Sequence, residues 1–230
     1  MTTRKTSVRT WAMLLCSWWV FAAAVADAQE NKSPTAYQAL LAKLETLTPG
    51  QTIEVTLGTG KDTYLLGETF EARFRANKAC YVVLMHISSP EVDSAGTVLK
   101  YGDITFLLPN GQFRDNKIEE GRVYSTAEDF NLAIRTALPT GFDTLNLFCM
   151  AEKLDLFDAD FEKAPIYQIA ADDDAQLRKL AERLELLKTQ EWTGASASFL
   201  VQQEGAQVRA LPRKFGALPP PKATGTTGKQ

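Results

Sequence analysis

Few residues in this chain carry reactive chemistry. His86 is the one histidine, so any histidine general base must be this residue. It sits in the run Val82-Val83-Leu84-Met85-His86-Ile87, where a strand end would set it near a sheet edge. Its two readings are a structural imidazole and a member of a Ser-His-Asp triad. Cys80 and Cys149 lie in two separate apolar runs, which in a sandwich can face each other across the core. They could form one bridge, remain two buried thiols, or supply a nucleophile. A bridge would close a loop of about 69 residues and stabilise the fold by roughly 4 kcal/mol through the entropy of the unfolded chain.

Asp155, Asp158, Asp160 and Glu162 form a dense carboxylate run. Such oxygens bind calcium, and two carboxyl groups held apart in a cleft can hydrolyse a glycosidic bond. The run lacks the central glycine of a calcium-binding helix-loop-helix, and its plainer reading is a solvated acidic loop. Gly58-Thr59-Gly60-Lys61 ends like a phosphate-cradling loop. It lacks the first glycine at the required spacing and a following helix, so it reads as a hairpin turn. No set of residues specifies a catalytic centre, a cofactor or a metal.

The elements that must carry these residues are mostly strands. Ile53, Val55 and Leu57 alternate with polar residues, as do Phe70, Ala72, Phe74 and Ala76, the pattern of half-exposed strands. Cys80–Ile87 and 144–151 are nearly all apolar, which suits strands covered on both faces. Short strands are expected at 97–99, 104–108, 123–124, 130–134 and 195–201. Pro109-Asn110-Gly111 and Pro139-Thr140-Gly141 mark turns. Ser33-Pro34 reads as a helix start, followed by Tyr37, Leu40, Leu41 and Leu44 on one face. A second helix over about 174–190 is capped by Asp172 to Asp174 and presents Leu177, Leu180, Leu184 and Leu187. Residues 152–174 read as acidic and irregular. The expectation is a mainly β chain: an immunoglobulin-like β-sandwich with an N-terminal helix and a C-terminal helix. Its parts would be an N-terminal helix within 29–50, a sandwich domain over 51–203, and a disordered Pro/Gly-rich tail over 204–230.

The N-terminus carries a signal-peptide pattern. Arg4, Lys5 and Arg9 precede an apolar run, and Ala26-Asp27-Ala28 places small residues for cleavage between Ala28 and Gln29. The apolar stretch, about 15 residues, falls short of the roughly 20 a spanning helix needs. Removing 1–28 shifts the formal charge from −3 to −5, and discounting the basic tail leaves a body near −9. An acidic body argues against nucleic acid, which demands a basic face. The expectation is a periplasmic or secreted protein with no transmembrane segment after cleavage.

Residues from about 62 to 157 resemble the bacterial family known as domain of unknown function 4384. The likeness is carried, in order, by Tyr64-Leu65-Leu66-Gly67-Glu68, Cys80-Tyr81-Val82-Val83-Leu84, Gly96-Thr97-Val98 and Leu107-Leu108-Pro109-Asn110. Asn116-Lys117-Ile118 with Gly121, and Pro139-Thr140-Gly141 before a strand, continue it. The resemblance implies an accessory module with a binding or interaction role; with the export signal, the expected partner is an envelope protein or cell-wall component. The resemblance implies no reaction and supplies no catalytic residues. The two other readings to weigh are a carboxylate-based hydrolase of cell-wall glycans and a calcium-stabilised adhesion module.

Overall fold

The computed structural model describes residues 35–205. The expected signal segment 1–28, its cleavage point at Ala28 and Gln29, the Ser33-Pro34 helix start and the tail beyond residue 205 lie outside the described residues. In chain order the elements are α1 (Ala36–Thr46), β1 (Val55–Thr59), β2 (Thr63–Leu65), β3 (Thr69–Phe70), β4 (Ala72–Ala76) and β5 (Cys80–Ile87). There follow β6 (Glu91–Val92), β7 (Val98–Lys100), β8 (Ile104–Leu108), β9 (Lys117–Ile118), β10 (Val123–Ser125) and β11 (Ile134–Arg135). The chain ends its described part with β12 (Gly141–Met150), β13 (Tyr167–Ile169), α2 (Asp174–Leu184), a 3₁₀ turn at Glu185–Thr189 and β14 (Trp192–Gln202).

The protein is mainly β. Its principal sheet runs β13-β8-β5-β12-β14-β2, with β9 added beside β5. All of its pairings are antiparallel except β14 with β2. A smaller sheet, β1-β4-β10, is separate, and β3–β11 and β6–β7 form two short ribbons.

Alternation along β5 explains the layering. Cys80, Val82 and Leu84 enter one core with Phe74 and Tyr124 of the smaller sheet and Leu145, Leu147 and Cys149 of β12. Val83 and Met85 enter another, with Tyr37 and Leu40 of α1 and Leu177, Leu180 and Leu184 of α2. A strand with partners on both faces can be apolar throughout, which is why 80–87 carries so little alternation. The smaller sheet thus covers one face of the principal sheet, and both helices cover the other.

Several expectations are corrected. The cap of α1 is Thr35: its hydroxyl accepts from the Gln38 N–H at 3.2 Å, and Gln38 Oε1 accepts from the Thr35 N–H at 3.0 Å. That reciprocal pair satisfies two otherwise orphan donors, so the helix starts two residues later than Pro34 suggested. Residues 152–174 are not wholly irregular, because β13 pairs with β8 there. Phe130 lies outside a strand, and only Ile134–Arg135 pairs, with β3. His86 sits at the end of a strand but not at a sheet edge, since β5 has neighbours on both sides.

Candidate functional site

The cysteines are bonded to each other, with a Cα–Cα distance of 5.7 Å. They do not face each other across the core as a sandwich would allow. β5 and β12 are hydrogen-bonded neighbours, with Cys149 opposite Val82, so the bridge runs diagonally between adjacent strands. Diagonal neighbours on one sheet face are within reach of each other.

His86 lies at the other end of the same face. Its Nε2 is 2.9 Å from Asp143 Oδ2. The ring packs beside Phe70 and stacks on Phe199, with centroid distances of 5.6 and 6.2 Å. Asp143 is only 3% exposed, and its other oxygen accepts from the Ser89 N–H at 2.8 Å. Ser89 Oγ in turn donates to the Pro139 carbonyl at 2.8 Å. A buried carboxylate must be satisfied in this way to be tolerated. The sequence reading missed Asp143. The available signal was its inward position, in phase with the apolar Leu145, Leu147 and Cys149 of the same strand.

Backbone crowding fixes where this network sits. A Cβ on Gly102 would lie 2.1 Å from the Ser88 carbonyl oxygen, and one on Gly141 (φ +148°) would lie 2.9 Å from Ser89 Cβ. The Ser88-Ser89 segment therefore threads between two positions that only glycine can fill.

His86 belongs to the floor of a large open cleft, about 1110 Å³ in volume. His86 on β5, Thr105 on β8 and Gln168 on β13 are successive cross-strand partners, so they share one face and form a row. The β6–β7 ribbon and the segment leading into β8 make one wall, through Glu91, Lys100, Tyr101 and Asp103. Asn131 to Arg135 and Ala137 to Thr140 make another. Tyr101 is held by stacking on Tyr37 of α1 at 4.5 Å and by accepting from Gln38 Nε2 at 2.8 Å. Burial, with Asp103 and Tyr101 nearby, pushes the Tyr37 hydroxyl well above the usual tyrosine range. That phenol stays neutral and serves packing.

The carboxylates at 155–162 lie elsewhere, and none lines the cleft. Asp158 is paired with Lys179 and with Arg183, which tie the loop to α2. Hydrogen bonding to Lys179 and then Arg183 holds the Asp158 carboxyl below the usual range. Asp160 is lowered likewise, by Lys163 and the Glu162 N–H. Among the described residues, no three His, Cys, Asp or Glu side chains converge as a metal site. In the Gly58–Lys61 segment, Gly58 and Thr59 belong to β1, and Lys61 pairs with Glu68.

No family model matches the chain, and no curated protein matches it. Among solved structures it is similar to the Pseudomonas fluorescens alkylpurine DNA glycosylase AlkC bound to DNA containing an abasic site analog. The identity is 13% and the TM-score 0.30, over 66% of this chain. The chain spans 31% of that glycosylase chain. A likeness this slight carries no argument about function. Among the described residues, no helix is long and apolar enough to cross a membrane.

Proposed function

We propose that the protein is an exported, non-enzymatic binding module of the bacterial cell envelope, built as an immunoglobulin-like sandwich with two added helices. It holds an envelope protein or cell-wall component in the cleft over β5, β8 and β13. The resemblance of residues 62–157 to domain of unknown function 4384 points the same way. The observation that carries the reading is the cleft: large, open, and floored by His86, Thr105 and Gln168 from three paired strands. Sites of this kind, concave with a few convergent polar groups, are where ligands bind.

The chemistry-bearing residues are engaged in structure. His86 gives Nε2 to Asp143 and packs on Phe199. The cysteines are joined to each other, and Asp158 is neutralised by α2. The joined cysteines and the paired Asp158 favour a binding role over a hydrolytic one, and among the described residues no hydroxyl or thiol is hydrogen-bonded to His86, as a nucleophile would be.

Fractionation of cells expressing the full chain tests this reading. The expected result is a mature protein beginning at Gln29, outside the cytoplasm and cosedimenting with envelope material. Recovery of the chain in the cytoplasm with Met1 retained contradicts it.

A further inference from the structure

We infer that the cleft takes an uncharged glycan chain, an inference that rests on the cleft being the binding surface. Four charged side chains line it, and they balance: Lys100 and Arg135 against Glu91 and Asp103. Glu91 and Lys100 are cross-strand partners on the β6–β7 ribbon. Both carboxylate oxygens of Asp103 are already used, by the Ala171 N–H at 3.1 Å and by Gln168 Nε2 at 3.0 Å. A polyanion or polycation therefore meets no net complementary charge, which is what electrostatic recognition requires.

The cleft instead offers neutral hydrogen-bonding groups. The hydroxyls of Ser88, Thr105 and Thr140 and the amides of Gln112 and Asn131 line it. None of these five side chains is engaged in a hydrogen bond among the described residues. A hydroxyl donates once and accepts twice, and a primary amide donates twice and accepts. Sugar hydroxyls are likewise donors and acceptors at once, and a chain of them matches this lining. Ile134, Pro165 and Ile166 set apolar surface beside these groups, which suits the C–H faces of sugar rings. The volume, about 1110 Å³, exceeds that of most small-molecule sites and leaves room for several sugar units.

The floor also argues against an extended peptide. Peptides that bind sheets take main-chain hydrogen bonds from a free strand edge. His86 and Thr105 present a sheet face on β5 and β8, which are already paired on both sides, and β13, the end strand that carries Gln168, offers a free edge of only three residues.

The test is calorimetric titration of residues 29–230 with cellotetraose, maltotetraose and chitotetraose. An oligogalacturonate and an uncharged Ser/Thr-rich peptide serve as the other arms. The expected result is binding of at least one neutral tetrasaccharide, with an affinity changing less than about twofold between about 0.05 and 0.5 M salt, because no ion pair is screened. The double variant Gln112→Ala/Thr140→Ala should weaken it about tenfold through lost hydrogen bonds. Both residues are exposed, so the melting temperature should hold.

Failure of all three neutral sugars, or tighter binding of the oligogalacturonate or the peptide, overturns the inference. Envelope retention separates this failure from failure of the reading beneath it. If a cleft-filling Thr105→Trp variant loses retention while neutral sugars do not bind, the cleft is the site and the glycan assignment is wrong. If Thr105→Trp and Gln168→Trp both keep retention and folding, the cleft itself is not the site.

Discussion

Asp143 stands on the strand beside His86 and two residues out of register with it, and Cys149 bears the same relation to Cys80. Thr144 pairs with Ile87 and Cys149 with Val82, so Asp143 falls one step beyond the last pair and His86 lies on the diagonal. The same face of β5 and β12 is thus tied twice. A covalent bond ties it deep in the core, and a hydrogen bond of 2.9 Å ties it at the cleft.

The covalent tie should dominate stability. Cys80 and Cys149 are 69 residues apart in sequence, and closing a loop of that size is worth about 4 kcal/mol on the chain-entropy model. Urea unfolding of the Cys80→Ser/Cys149→Ser variant should show a loss of that order. A loss below about 1 kcal/mol would contradict the cross-link as the dominant tie.

The hydrogen-bonded tie should be smaller but specific. Asp143→Ala leaves His86 and the Ser89 N–H without their partner and should cost about 3 kcal/mol, the sum of two buried groups left unsatisfied. Asp143→Asn keeps an acceptor for Ser89 and should cost about 1 kcal/mol. Equal stabilities for the two variants, measured by urea unfolding, would deny that the carboxylate serves both partners.

The glycine contacts give a sharper geometric test. Gly102→Ala drives a Cβ to 2.1 Å from the Ser88 carbonyl oxygen, whereas a Cβ on Gly58 meets nothing within 4 Å. Gly102→Ala should therefore destabilise by about 3 kcal/mol or more, and Gly58→Ala by within about 0.5 kcal/mol. Similar melting temperatures for both would place Ser88 elsewhere.

Asp158 carries a pH dependence of definite sign. Its folded pKa is lowered by Lys179 and Arg183, from an ordinary value of about 3.9. A group lowered on folding contributes stability above its unfolded pKa, and that contribution is lost as pH falls through the folded value. Being exposed, the pair contributes modestly. Carboxyl chemical shifts followed by NMR should show Asp158 titrating below the ordinary range, and rising toward it in Lys179→Ala/Arg183→Ala. An unchanged Asp158 titration in that variant would contradict the pairing.

The parts of this fold governed by local periodicity could be read from the chain. Leu177, Leu180 and Leu184 repeat at helical spacing and are buried as α2 requires. The unbroken apolar run of β5 signals two covered faces, and it has them. Neighbourhood between strands is not local. Nothing in the spacing of Cys80 and Cys149 says that β5 and β12 are adjacent, because that order follows from how the whole sheet assembles. The cleft was hidden for the same reason: Thr105 and Gln168 are partners across β8 and β13 although far apart in the chain. β13 escaped notice because it is three residues long in an acidic stretch whose carboxylates spoke of a loop.

The central claim is that the cleft over His86, Thr105 and Gln168 is where this protein binds its envelope partner. Cosedimentation of the mature chain with isolated envelopes, compared between wild type and Thr105→Trp at equal folded fraction, tests it most directly. The claim predicts that wild type is retained and the filled variant is released. Retention of both to the same extent would contradict it.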